Sequence, residues 1–397
     1  MTIRVLHIGK YFPPYAGGME TYLRDLMVAQ ARRGMDTTAL VHQSYIGFKS
    51  QDDTQTIGEQ LLPVTRAAVW ARLLFTPISP TFGWLLKRLI KKRVPDILHL
   101  HMPNVSVFWA LMLPAARKIP WVVHWHADVL ASQHSLGLKI FYTLYRPLER
   151  AILRHSGAII VTSPPYLASS EPLVEFRDKC HTVPLGVATP PVLARSVTDA
   201  APAANNTLQV LAIGRLTYYK GFEYLLGAAA QCPCTEIHLV GRGRQENYLR
   251  SLARELKIEH RVFFHGHLSD AELEKQFSAC DCLCLPSIER TEAFGMVLLE
   301  AMSRGVATLI CKVPGSGMGW VVDDGVTGIH VTPEDAGKLA AAMRNLAEDR
   351  DKMYRMGAAG RAKFDRQFHI DKSVAGVFKL YTRLLKITHE DQHQANT

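Results

Sequence analysis

The sequence predicts an α/β protein built from two Rossmann-like halves, each a parallel sheet with crossover helices. Three observations carry that prediction. Short β-branched runs alternate with longer helical patterns along almost the whole chain, as strand–helix–strand units require. The alternation stops in a proline- and alanine-rich stretch, residues 188–206, and then restarts. The length of 397 residues exceeds what one hydrophobic core usually organises.

The first half opens with an apolar run at residues 4–8. Residues 20–33 follow with amphipathic helical spacing, stopped by Gly34. Further strands are expected at 37–41, 96–101, 121–126 and 158–162, with helices between them. Residues 188–206 include Pro190, Pro191 and Pro202, show little periodicity and read as a linker. A fresh strand at 208–213 is followed by others at 235–240, 261–264, 282–285 and 307–310. The last helical pattern, 373–386, is expected to cross back and pack on the first half. The expected divisions are therefore 1–190, a linker at 191–206, 207–370, and a returning helix within 371–397. A ligand is expected in the cleft between two such halves, where strand carboxyl ends meet helix N-termini.

Composition narrows the function. The hydrophobic fraction of 48% and charged fraction of 21% are those of an ordinary globular enzyme and exclude wholesale disorder. The net charge of +10 favours anionic partners: nucleic acid, anionic lipid or phosphorylated small molecules. Seven cysteines without a CxxC pair point to buried thiols in a reducing compartment rather than to zinc or disulfides. Residues 1–9 form an apolar strand with no separate charged and apolar regions, and no apolar run approaches the roughly 20 residues that span a bilayer. A cytoplasmic location is expected.

Several strand ends carry chemistry. Gly17-Gly18 after the first strand lets backbone N–H groups approach an anion at a helix N-terminus. In the second half, Gly214-Arg215 and Lys220-Gly221 leave a strand end with two cations five residues apart, where a diphosphate would lie. The order of a Walker A loop is absent. Glu292 and Glu300 stand eight residues apart, the first before a helix and the second inside it. Phe294 and Gly295 lie at that helix's N-terminus, where N–H groups would hold phosphate. Glu300 is suited to ribose hydroxyls and Glu292 to sugar hydroxyls. His124 and His126 share one strand face, with Asp128 just beyond. His99 and His101 repeat the pattern, and His101 is nearer its strand end. Each of these could also be purely structural.

Residues 66–93 stand apart. They contain Arg66, Arg72, Lys87, Arg88, Lys91, Lys92 and Arg93 and no acidic residue, interleaved with Trp70, Leu73, Leu74, Phe75, Phe82, Trp84, Leu85, Leu86, Leu89 and Ile90. Such a stretch suits an anionic membrane surface; the competing reading is a core helix with a solvated basic face.

Taken together these motifs resemble the retaining GT-B glycosyltransferases of family 4. The resemblance spans nearly the whole chain: Gly17-Gly18, His126 with Asp128, Thr162-Ser163, residues 183–187, Gly214-Arg215 with Lys220-Gly221, and the Glu292–Glu300 spacing. It implies two Rossmann-like domains facing each other across a cleft, the first binding acceptor and the second binding the nucleotide sugar. It implies that Gly17 and Gly18 lie near the donor phosphates, that Arg215 and Lys220 neutralise the diphosphate, and that Phe294 and Gly295 belong to the donor site. Glu300 would hold the ribose, Glu292 the donor sugar, and His126 would touch the sugar at the reaction centre, with His101 and Asp128 on the acceptor side. It further implies retention of configuration, no metal ion and no cofactor beyond the donor substrate. Tyr218-Tyr219-Lys220-Gly221, residues 162–166 and residues 124–128 look like mannosyl- and rhamnosyltransferases of bacterial O-antigen or exopolysaccharide assembly. That likeness suggests a GDP-mannose-type donor and a lipid-linked or saccharide acceptor. The enzyme would then work on the inner face of the cell membrane, held through residues 66–93.

Three rivals are weaker. A nucleotide-sugar 2-epimerase of the same architecture would consume donor with no acceptor present. A nucleic-acid-binding reading, prompted by the net charge of +10, lacks a recognition motif. A nicotinamide oxidoreductase lacks the glycine fingerprint and its acidic partner.

Overall fold

The computed structural model describes residues 2–73, 76–129, 136–189 and 207–394. The expected linker at 191–206 lies outside the described residues, as do Leu74 and Phe75. The chain divides into two compact units, residues 1–186 with 370–397, and residues 187–369. The first division thus falls four residues before the expected one, because Val187 pairs with His369 of the second unit.

The first unit runs β1 (Arg4–Ile8), α1 (Gly18–Arg32), β2 (Asp36–His42), β3 (Gln51–Ile57), β4 (Gln60–Ala67), β5 (Ala71–Leu73), β6 (Thr76–Ile78) and α2 (Phe82–Arg93). It continues with β7 (Ile97–Met102), α3 (Trp109–Met112), α4 (Pro114–Arg117), β8 (Trp121–Trp125), α5 (Leu136–His155), β9 (Ala158–Val161), α6 (Pro164–Ser169) and β10 (Cys180–Thr182). Its main sheet has the order β10-β9-β8-β7-β1-β2-β4-β3, parallel except for β3. The central strands β7 and β8 are buried along their whole length, which is why they read as continuous rather than alternating runs. The edge hairpin β3–β4 escapes sequence reading. Its outer strand, all Gln, Asp and Thr until Ile57 at its end, carries little hydrophobic signal and is polar as an edge requires.

Residues 66–93 correct an expectation. They do not form one amphipathic surface. Arg66 lies buried in β4, donating to the Phe12 and Pro13 carbonyls. Phe82, Leu85, Leu86, Leu89 and Ile90 are buried in the core under α2. The face of α2 that remains exposed carries Trp84, Lys87, Lys91 and Lys92, while Arg88 packs over Trp84 and pairs with Asp52 at 2.6 Å. Apolar spacing at 82, 85, 86, 89 and 90 is that of any helix packed on a sheet.

The second unit runs β11 (Leu208–Ile213), α7 (Phe222–Ala230), β12 (Thr235–Val240), α8 (Glu246–Glu255), β13 (Val262–Gly266), α9 (Asp270–Ala279), β14 (Cys282–Leu285), α10 (Met296–Met302), β15 (Ala307–Cys311), α11 (Met318–Val321), β16 (Gly328–Val331), α12 (Ala336–Glu348) and α13 (Arg350–Gln367). Its six parallel strands take the order β13-β12-β11-β14-β15-β16. This is the doubly wound order, which reverses between β11 and β14, so a ligand crevice forms outside the carboxyl ends of those two strands. No disulfide joins the seven cysteines; Cys234 is exposed and Cys180 only half-buried, against the expectation that all are buried.

The last helix, α14 (Ile370–Gln394), returns to the first unit. Ser373 bonds the Tyr22 hydroxyl at 2.8 Å, and the Gln30 amide donates to Tyr381 at 3.2 Å.

Candidate active site

The candidate residues fall into two groups, one in each unit. In the second unit the loops after β11 and β14 meet at the point where the strand order reverses. Gly221 makes this approach possible: its φ is +64°, and a Cβ there would collide with the Pro286 carbonyl oxygen. Lys220, just before it, lies over Gly214, where a Cβ would stand 3.0 Å from its Cε. Its buried ammonium donates to the Glu292 carboxylate, which also accepts from Ser287 at 3.5 Å. The Ser316 hydroxyl donates to the Glu292 carbonyl, and Gly317 N–H donates to the Ala293 carbonyl at 2.8 Å. Arg215 is exposed on the same loop as Lys220.

Gly295, at φ +80°, caps α10. The Phe294 ring is buried against Trp320 and Phe368, so only its main chain is available to a ligand. Glu300 lies in the second turn of α10 and is half-buried.

In the first unit the structure gathers five histidines from three adjacent strands: His7 on β1, His99 and His101 on β7, and His124 and His126 at β8. All are buried. Same-strand rings stack, 4.6 Å apart for His99 and His101 and 4.4 Å for His124 and His126. Across strands, nitrogens pair: His7 Nδ1 with His101 Nε2 at 3.1 Å, His101 Nδ1 with His126 Nε2 at 2.9 Å, and His99 Nε2 with His124 Nδ1 at 3.1 Å. Gln30 Oε1 receives His7 Nε2 at 2.8 Å, and Tyr381 bonds His99 Nδ1. Burial pushes His7 down to about 4 and His126 to about 3. Burial and neighbouring histidines hold His99, His101 and His124 well below the usual histidine range.

Two triads, His7–His99–His101 and His101–His124–His126, bring three ring nitrogens within 4.8 Å. A metal ion would need those nitrogens bare and converging. Here the rings of His99, His101, His124 and His126 stack nearly parallel, His7 is tilted by 36° to His101, and the cross-strand nitrogens pair at hydrogen-bond distance, so the cluster is a hydrogen-bond network.

Three expectations change. Both nitrogens of His101 are engaged, by His7 and His126, so it has none left for an acceptor sugar. Asp128 is also committed: its Oδ1 accepts from Trp125 Nε1 at 2.8 Å and Ser170 Oγ at 2.7 Å, holding the chain that follows β8. At the start of α1, a Cβ on Gly17 would collide with the Glu20 carboxylate, so the protein's own acid lies at the helix N-terminus where Gly17 and Gly18 were expected to meet phosphate. Sequence reading missed His7, Gln30 and Tyr381. The only trace is period-2 histidines on neighbouring strands, and nothing in local pattern links residue 30 to residue 381.

The pattern of the family described as "Glycosyl transferases group 1" matches residues 198–363, and that described as "Glycosyl transferase 4-like domain" matches residues 17–186. A phosphatidyl-myo-inositol mannosyltransferase of Mycolicibacterium smegmatis is 30% identical over 92% of this chain and 90% of its own length. The chain belongs to the family 4 GT-B glycosyltransferases. An O-antigen chain mannosyltransferase C of Escherichia coli is 29% identical to this glycosyltransferase over 97% of the chain and 99% of the relative. Among solved structures, a sucrose-phosphate synthase from Thermosynechococcus elongatus aligns with a TM-score of 0.80 at 23% identity, covering 97% of this chain and all of the other, which shows the shared GT-B fold. Among the described residues, no helix is long and apolar enough to cross a membrane.

Proposed function

We propose that this glycosyltransferase moves a hexose of mannose type from a nucleoside diphosphate sugar to a lipid-linked or saccharide acceptor in cell-surface polysaccharide assembly, retaining anomeric configuration and using no metal. The observation that carries the reading is the buried Lys220 ammonium, held against Glu292 where the second sheet reverses its strand order. A fixed cation there supplies the charge that a metal would otherwise bring to a diphosphate. Arg215 adds a second cation, and the main chain at Phe294 and Gly295 offers N–H groups. Glu300 takes the ribose hydroxyls, Glu292 the donor sugar, and His126 touches the transferred sugar. Mannose is favoured because the relatives named above are mannosyltransferases; their names also favour transfer over 2-epimerisation.

The test is a panel of GDP- and UDP-sugars with purified protein in EDTA, with and without a lipid-linked or saccharide acceptor. GDP-mannose is expected to raise the melting temperature most and to be turned over fully without added metal, and product analysis is expected to show the donor's own anomeric configuration. Activity lost in EDTA and restored by Mn²⁺ or Mg²⁺ overturns the metal-free reading. Consumption of donor to an epimer with no acceptor overturns transfer.

The membrane reading survives in smaller form. Trp84, Lys87, Lys91 and Lys92 share one exposed face of α2, and Phe48 stacks edgewise on the exposed Trp70 at 5.6 Å, a neighbour that sequence reading did not include. Each cation near an anionic surface contributes about 1 kcal/mol. Sedimentation with anionic vesicles is expected at low salt and is expected to weaken at high salt and in a Trp84→Ser, Lys87→Glu, Lys91→Glu variant. Protein that stays in the supernatant at low salt makes a soluble acceptor the better reading.

A further inference from the structure

The five clustered histidines of the first unit form one continuous hydrogen-bonded chain whose two arms meet at Gln30. One arm runs Gln30–His7–His101–His126 and the other Gln30–Tyr381–His99–His124. Each neutral imidazole has one N–H and one bare nitrogen, so fixing one end of an arm fixes every proton along it. Gln30 is that fixed end. Its Oε1 accepts from the Thr37 hydroxyl at 3.3 Å and its Nε2 donates to Tyr381.

The protons follow in order. Gln30 Oε1 requires His7 to donate from Nε2, which leaves His7 Nδ1 bare. His101 then donates from Nε2 to His7, and its bare Nδ1 accepts from His126 Nε2–H. His126 ends the arm with Nδ1 bare. On the other arm, Tyr381 accepts from Gln30 and donates to His99 Nδ1. His99 Nε2–H donates to His124 Nδ1, so His124 ends with a proton on Nε2. Among the described residues, His126 Nδ1 and His124 Nε2 are the ring nitrogens of the cluster that are buried without a hydrogen-bond partner.

We infer that Gln30, His7 and His101 are positioning residues that present His126 to the transferred sugar as a neutral imidazole with Nδ1 as hydrogen-bond acceptor. The inference rests on the reading that His126 touches that sugar. A buried acceptor without a partner is costly to leave unmade, so a sugar hydroxyl that donates to it gains binding that none of the described residues supplies. The other tautomer would set an N–H against the same hydroxyl, which would then have to turn and accept where the first tautomer has it donate, giving up its own proton's partner. The relay explains why His101, whose nitrogens are both engaged, is a histidine at all: only a ring with two nitrogens passes a tautomer from one strand to the next.

The test combines nitrogen NMR on ring-¹⁵N-histidine protein with kinetics. The His126 signals are assigned by their loss in His126→Ala. In the wild type, Nε2 is expected to be protonated and Nδ1 bare; a protonated Nδ1 overturns the relay without any variant being needed. In Gln30→Met the two tautomers are expected to mix, and kcat to fall about 10- to 100-fold with KM for donor within about twofold. Gln30→Glu keeps an oxygen facing His7 and is expected to restore both the tautomer and most of the rate. A merely structural role predicts that Glu at this buried position is no better than Met. A mixed tautomer with unchanged kcat overturns the relay's part in catalysis. Full activity in His126→Ala instead overturns the placement of His126 at the sugar, a failure distinct from that of the relay.

Discussion

Acidification is expected to unfold the first unit near pH 5, well above the range where carboxylates are titrated. Among the described residues six histidines are buried there: the five of the network and His42, which burial pushes down to about 4 while its nitrogens bond the Lys10 carbonyl and Ser106. In the folded unit these stay neutral below their ordinary value of about 6.5, whereas in the unfolded chain each takes up a proton. Their stabilisation is therefore complete above that value and is lost as pH falls through it. Glu149 acts in the opposite sense. Burial raises it to about 7, so the folded state binds its proton first and gains stability on acidification. The net uptake on unfolding is then about five protons. At pH 5.5 each of the six histidines contributes a loss of about 1.4 kcal/mol and Glu149 offsets about 2 kcal/mol of it, leaving on the order of 6 kcal/mol, comparable with the whole stability of a typical domain. Fluorescence of the buried Trp121 and Trp125 during an acid titration is the measurement. A first unit still folded at pH 4 would show that the histidines are protonated in the native state.

Lys220→Met is expected to lower kcat/KM about 10²-fold, the loss that follows from removing one charge-assisted contact to a diphosphate. It is also expected to destabilise the second unit by about 3 kcal/mol, because Glu292 would remain largely buried without its cation. The two effects separate in a double variant. Lys220→Met with Glu292→Gln removes both charges and is expected to regain most of the lost stability, while activity stays at the floor. Thermal unfolding and donor kinetics on the two single variants and the double variant complete the cycle. Destabilisations that simply add would show that the pair is not coupled in solution. Activity within threefold of wild type in Lys220→Met would remove Lys220 from the diphosphate.

Local pattern carried much of the second unit. A strand ending at Ile213 that runs into Gly214 and reaches Lys220-Gly221, and a pair of glutamates around a helix start, are neighbours in sequence as well as in space. Their spacing therefore reports their chemistry. Even there the ring of Phe294 was illegible, because a residue beside a helix start offers a ligand either its main chain or its side chain. Packing against Trp320 and Phe368 decided for the main chain.

By itself the sequence determined that strands alternate with helices in two halves, which strand ends bear glycines, cations and acids, and that His124 and His126 share a face. All of these depend on periodicity and adjacency, which are local. Only the tertiary structure decided which apolar residues of 66–93 enter the core, since the same spacing serves a protein interior and a membrane surface. Only it paired Lys220 with Glu292, joined Gln30 to Tyr381 and set five histidines from three strands into one proton-ordered network. Those contacts join residues between 23 and 351 positions apart, and hydrogen-bond partners at such separations are chosen by sheet order and helix docking rather than by any neighbour in the chain.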